Sequence, residues 1–312
     1  MNKIKQNKIT FFLILSVIAI TFSSLTFLSL PVLFNYKSKV TKIEKNFKKN
    51  FKIFLKTSGN ISYKPFPKPH LLVENATLNL ANNIKNKNLI DTSNLKIFIS
   101  LRDIYLRSFE NISSAEISDS NIEFTIPDLK KFREHLYYSI NKPIYFNKCK
   151  FFIKNKNDEV ILISPIKNII YKINNKSKFK NFIIDGEVFG IDFKSEWRRQ
   201  YDNPKISINN INLYSPNIEV KNIFKNNNNK KFQIFNEIIF GQDKLKYEIK
   251  FNDNKINITS PKVENINFNI DGDIQVKPFY FDIALNIKNK KIEKIIDIFL
   301  IYFLLYDKNY LG

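Results

Sequence analysis

Few residues in this chain have types that do chemistry. Its 312 residues include two histidines and one cysteine. His70 lies among Pro65, Pro67 and Pro69, and His135 sits on the polar side of a predicted helix. A general base needs convergent polar partners, and both histidines read as surface residues instead. Cys149 stands alone, which excludes an intrachain disulfide and a cysteine-ligated metal. In "IDGDIQV", Asp271 and Asp273 flank Gly272. That spacing suits a cation loop or a turn, and the turn is the preferred reading. The lone Trp197, in "SEWRRQ", reads as a packing or interface residue rather than a ligand stacker. No glycine-rich phosphate loop, nucleophile elbow or His/Glu metal spacing occurs. The expectation is a protein that is not an enzyme and uses no cofactor.

The elements that must position any function begin with residues 10–34, "TFFLILSVIAITFSSLTFLSLPVLF", which carry no charge. About 20 apolar residues span a bilayer core of roughly 30 Å. No small-x-small cleavage pattern follows, so a retained anchor is favoured over a cleaved signal. Residues 1–9 with Lys3, Lys5 and Lys8 are then cytoplasmic. A second lysine run, from Lys37 to Lys56, follows the anchor and by the charge rule alone favours the reverse topology. Long following domains translocate largely regardless of charge, so the charge rule alone does not decide the orientation. Residues 37–56 read as an amphipathic helix, with Val40, Ile43, Phe47, Phe51, Phe54 and Leu55 at three- and four-residue steps and Gly59 as its stop.

From Leu71 onward the apolar period becomes two. Leu95, Ile97 and Ile99 alternate in "LKIFISL", and Ile122, Phe124 and Ile126 in "NIEFTI". Ile266, Phe268 and Ile270 alternate with asparagines in "NINFNI", and Phe279, Phe281 and Ile283 open "FYFDIALNI". "KYEIKF", "ISINNINLY" and "IIDGEVFGIDF" read the same way. Such alternation marks an antiparallel sheet with one dry face, here of roughly 12 short strands over residues 60–290. Residues 127–142 interrupt it with a predicted helix on Leu129, Phe132, Leu136 and Ile140, and residues 291–312 hold a second apolar helix. The three prolines in "ISYKPFPKPHLLVENATLNL" cannot donate to a sheet and read as a stiff lead-in to its edge. The fold class is therefore mainly β: an N-terminal transmembrane helix, then a curved antiparallel β-sheet groove with a few amphipathic helices.

The order of these features resembles the amino-terminal region of the AsmA-like proteins of bacterial envelopes. The likeness rests on the anchor ending at Asn35, Tyr36 and Lys37, on Gly59 before a short strand, and on the Pro65–Pro69 joint. It continues through Ser100–Leu106 and then Ile112, Ile117, Ile122 and Phe124. It covers roughly residues 10–126; the rest matches only as generic alternating strands. Many family members are longer, so the chain reads as a short member or one with an incomplete groove. The resemblance implies a periplasmic body on the bacterial inner membrane and a part in phospholipid transport and outer-membrane biogenesis. The expected partners are phospholipid acyl chains, the inner membrane and envelope proteins. Leu95, Ile97, Ile99, Ile122, Phe124, Ile126, Ile266, Phe268, Ile270, Phe279, Phe281 and Ile283 would line the groove.

Two rival readings stand beside it. A membrane-tethered scaffold could assist outer-membrane protein assembly through an open sheet edge. A net charge of +21 suggests nucleic acid. The lysines are spread through the chain without an arginine-rich cluster, and no nucleic-acid partner is expected.

Overall fold

The structure, a computed structural model, describes residues 2–58, 60–80, 90–125, 128, 132, 135, 140–155, 157–174, 176–201, 206–227, 231–252, 255–261, 268–275 and 279–287. It is mainly β and mostly antiparallel, with an N-terminal apolar helix and a few short helices. The chain divides into two compact units, Met1–Lys172 and Ile173–Gly312.

The first unit opens with α1 (Asn2–Ser29), which passes into a 3-10 turn at Leu30–Leu33 with Pro31 at its start. Proline suits that position because it has no N–H to leave unpaired. The apolar stretch Phe11–Leu33 is long enough to cross a membrane. After a turn at Lys37–Lys39, α2 runs over Val40–Phe51 and buries Ile43, Phe47 and Phe51. The helix stops sooner than the apolar spacing predicts. Lys52 takes a left-handed conformation with φ 56° and caps it. Phe54 and Leu55 then belong to β1 (Ile53–Thr57).

Strand β2 (Ile61–Lys64) and β1 both pair with β3 (His70–Leu80), so together they form one broken edge. The prolines connect β2 to β3, with Lys64 paired to His70. They make the turn of a hairpin, not a lead-in to it. Next come β4 (Ile90–Ile99), the short α3 (Leu101–Tyr105), β5 (Ile112–Thr125), β6 (Ile144–Lys154) and β7 (Val160–Asn174). The spatial order is β1-β3-β4-β5-β6-β7. One pair departs from the antiparallel expectation: β5 and β6 are parallel. A parallel pair needs a crossover, which residues 126–143 supply. Asp128, Phe132 and His135 within it are helical.

Across this sheet the dry face changes phase along one line. Buried positions step by two along each strand and then by three, at Val73/Ala76, Leu95/Thr92, Ile117/Ser120, Phe146/Cys149 and Ile169/Ile166. The steps lie opposite one another in register. Asn75, Asp119 and Lys148 on that line have φ of 51°, 52° and 52°. Pairing runs in constant register across the line, so no strand carries an extra residue relative to its neighbour and the line is a shared kink, not a bulge. Without it, every side chain beyond the line would turn to the other face. Small polar groups fill the line. Thr92 Oγ1 donates to the Ser118 carbonyl at 2.9 Å, and Ser120 Oγ lies 2.9 Å from Cys149 Sγ.

Three side chains four residues apart on α2 hold the segment after α3. Lys42 Nζ, Asn46 Nδ2 and Asn50 Nδ2 donate to the carbonyls of Arg107, Ser108 and Glu110 at 2.9, 2.9 and 3.0 Å. Asp103 braces the same segment from inside, accepting from Ser100 and Ser108 at 2.5 Å and from Asn111 at 3.2 Å. Tyr105 stacks on Phe27 at 4.7 Å and donates to its carbonyl, and Arg107 lies over the Phe34 ring at 4.8 Å. The apolar helix α1 is thereby tied to the sheet through α3.

The second unit is a run of strands in chain order: β8 (Phe179–Val188), β9 (Ile191–Gln200), β10 (Ile206–Tyr214), β11 (Asn217–Asn227), β12 (Lys231–Phe240), β13 (Asp243–Asn252), β14 (Lys255–Thr259), β15 (Phe268–Gln275) and β16 (Tyr280–Ile287). Each pairs antiparallel with the next. Among the described residues β8 and β16 do not pair with each other, so this sheet is open. The expected C-terminal helix at 291–312 lies outside the described residues.

Asn46 is buried and carries the middle rung of the α2 ladder. Asn46→Ala leaves the Ser108 carbonyl without that donor and should cost about 1–2 kcal/mol. Urea unfolding of the full chain measures it, and a change within about 0.3 kcal/mol of zero would remove the ladder's role.

Candidate functional site

Titratable groups do not converge into a reaction centre among the described residues. No group of three or more His, Cys, Asp or Glu able to hold a metal occurs there. His70 is buried rather than exposed, with Nδ1 2.7 Å from the Lys68 carbonyl and its ring 5.5 Å from Phe98. His135 is half-buried against α2, with Nε2 3.3 Å from the Phe51 carbonyl. Both were expected at the surface. The proline turn folds His70 back onto β4, and the crossover carries His135 to the end of α2. Burial pushes the Cys149 thiol up, away from the thiolate a nucleophile needs.

Asp271 and Asp273 are neither a turn nor a cation loop. They lie within β15 and accept from neighbouring groups. Asp271 takes the Ser260 N–H at 3.0 Å, and Asp273 pairs with Lys255 at 3.1 Å and with the Asn257 amide. Gly272 between them is needed for close approach. A Cβ there would come within 2.1 Å of the Asp282 carbonyl oxygen and 2.7 Å of Ile283 Cα on β16.

The strongest functional geometry is therefore a surface. Register in the second unit sorts alternate residues onto two faces. One carries Ile184, Ile211, Val220, Ile238 and Leu245 across five strands, with Ser195 between the first two. Beside that row run Phe224, Ile234, Ile249 and Ile258. The opposite face carries Glu219 near Lys221, Glu237 near Lys246, Glu248 near Lys250 and Asp273 near Lys255, with N···O distances of 3.1–3.4 Å. The first face is the dry one; the second, the wet one, is charged but not wholly polar, since Ile208, Ile223 and Phe235 form a row on it. Within this unit the described residues contain no helix. Ile211, Val220, Ile234, Ile238 and Ile249 remain half-buried, and Phe281 and Leu285 are 62% and 45% exposed.

The residues expected to line a groove divide between the units. Leu95, Ile97, Ile99, Ile122 and Phe124 are at most 4% exposed. They form a closed core in the first unit, with Phe124 5.1 Å from Phe132 of the crossover. A covering helix thus removes them from any open surface. Ile270 and Ile283 join a small cluster with Leu245, Ile258 and Ile274. Phe279 and Phe281 are exposed and lie 6.1 Å apart. Phe268 falls on the dry face by register. Ile126 and Ile266 lie outside the described residues. Sequence reasoning missed the central part of the face on β8–β12. Its signal is present in the alternation of "ISINNINLY" and "NIEVKNIF", diluted by asparagines at dry positions.

No family model and no curated protein matches this chain.

His135 gives a pH test of the first unit. Burial holds its ring below the usual value of 6.5, against two weaker backbone contacts that raise it. Folding thus favours the neutral ring. Its contribution is full above about pH 6.5 and is lost as the pH falls through the lower folded value. Asp103 acts further down: hydrogen bonds from Ser100 and Ser108 lower its value, so its contribution is lost only below the usual carboxylate range. The urea midpoint should fall between pH 7.5 and 5.5, and His135→Gln should flatten that fall. An unchanged slope in the variant would exclude His135 as its source.

Proposed function

We propose that this chain is a membrane-anchored lipid carrier whose second unit shelters acyl chains against its dry face. The observation that carries the reading is an amphipathic open sheet with aliphatic rows on one side, on a chain that also has a helix long and apolar enough to cross a membrane. Apolar side chains on such a face gain by being covered. Each methylene an acyl chain buries contributes about 0.8 kcal/mol, so a chain lying over several strands is retained without any specific contact. The wet face keeps its charges in water throughout. The AsmA-like resemblance supports the same reading and supplies the remaining terms: anchorage in a bacterial inner membrane, the body in the periplasm, and phospholipid movement towards the outer membrane.

A second reading has one observation in its favour. Strand β16 pairs only with β15 among the described residues, so its far edge presents backbone groups to a partner. An extended polypeptide could add there, as in a scaffold for outer-membrane protein assembly.

The two readings separate by cross-linking. A photoreactive residue at Phe281 on the dry face should capture phospholipid, and one at Lys246 on the wet face should not. Mass spectrometry of the purified full chain should find phospholipid. No lipid at Phe281 and none co-purified would overturn the carrier; polypeptide captured there instead would establish the scaffold. Protease accessibility of the second unit in intact and opened cells tests the periplasmic placement.

A further inference from the structure

One row on the dry face of the second unit is polar. Register sets Trp197, Asn209, Asn222, Asn236 and Tyr247 side by side on five successive strands. Aliphatic rows flank it on both sides: Ile211, Val220, Ile238 and Leu245 on one, and Ile234 and Ile249 on the other. Asn209, Asn222 and Asn236 are 0%, 5% and 8% exposed. Asn209 Oδ1 accepts from Ser195 Oγ at 3.1 Å, but the Nδ2 groups of Asn209 and Asn236 have no acceptor. Buried amide donors are ordinarily paired, and two unpaired ones in a single row mark a place that an acceptor completes.

The neighbouring positions define that acceptor. One repeat along the strands, about 7 Å away, Lys180 pairs in register with Arg199, and Arg199 with Ser207. Two cations therefore stand on the apolar face beside the amides, and Lys180 is buried there. The face thus offers positive charge, then hydrogen-bond donors, then aliphatic rows. A diacyl glycerophospholipid offers phosphate, then ester carbonyls, then acyl chains, over the same span.

We propose that Asn209, Asn222 and Asn236 form a station that hydrogen-bonds the ester carbonyls of a phospholipid, with Lys180 and Arg199 at its phosphate and its acyl chains along the aliphatic rows. This rests on the reading that the face takes lipid, and adds that the lipid is held in register instead of sliding freely. Trp197 and Phe224 flank β10 and stack at 5.5 Å, which places the pair across Asn209. A bound lipid parts this stack, and Trp197, the single tryptophan, reports it.

The test is tryptophan emission of the full chain held in an amphipathic polymer, titrated with short-chain phosphatidylglycerol in diester and dialkyl-ether forms. The diester should bind roughly fivefold to tenfold tighter, the worth of about one net hydrogen bond. Asn236→Leu should abolish that preference, read as the ratio of ester-lipid to ether-lipid affinity. Lys180→Gln should weaken phosphatidylglycerol relative to diacylglycerol. Equal affinity for ester and ether forms in the unaltered chain overturns the station, even if the variants fail to fold. So does an Asn236→Leu protein that folds and keeps the ester preference. If neither form binds while Phe281 still captures lipid, the station fails and the carrier stands; no lipid in either experiment removes both.

Discussion

A strand that alternates apolar and polar side chains makes a sheet with one face that water disfavours. Everything in this chain follows from how that face is covered. In the first unit α2 and the crossover bring Ile43, Phe47, Phe51, Phe132 and Ile140 into the interior, and the sheet's own apolar residues are sealed. The same helix reaches sideways with Lys42, Asn46 and Asn50 to grip the segment after α3. Covering the sheet and holding the segment that packs on α1 are thus one task, done by one helix. In the second unit the described residues provide no such helix, and the apolar face keeps its half-exposed rows.

The phase line in the first unit shows how strongly the covered face is specified. A kink on one strand is a local event, but here five neighbouring strands change phase together. A lone kink would leave its neighbours' side chains facing the wrong way, so the kinks have to align. Asn75 and Asp119 are residue types that tolerate left-handed backbone; Lys148 is not, and holds φ 52° because the flanking strands dictate it. The cost is confined to a line lined by Thr92, Ser118, Ser120 and Cys149, whose small side chains fit where the pleat is interrupted.

The long apolar helix and most strands were legible in the sequence, because length without charge and period-two alternation are local signals. What was not legible depended on contacts between distant segments. The last turn predicted for α2 is a strand because Phe54 and Leu55 find β3 as a partner, and a helical stripe and a short strand share such residues. The parallel pairing of β5 with β6 follows from where the crossover lands, which alternation cannot encode. Leu95 and Phe281 look alike as alternating apolar residues, yet one is sealed and the other exposed. Which sheet acquires a covering helix is tertiary information. The asparagine row was hidden for a different reason: in a chain so rich in asparagine, three more at alternating positions carry no signal until register aligns them.

The wet face of the second unit explains why the dry one stays where it is. Exposed pairs such as Lys246–Glu237 and Lys221–Glu219 each contribute little, about 0–1 kcal/mol. Their value lies in what a slip would do. Moving one strand by a single residue would turn its lysines and glutamates onto the apolar face and its isoleucines into water. β13 carries Lys244, Lys246, Glu248 and Lys250 on one side and Leu245, Ile249 and Phe251 on the other, so there the register is fixed by side-chain polarity. The charges that give the chain its basic character thus act first as a record of which side is out. The asparagine row meets the opposite condition. It sits on the dry side in the correct register, where polarity alone would forbid it, and the amide donors of Asn209 and Asn236 stand buried and unpaired there.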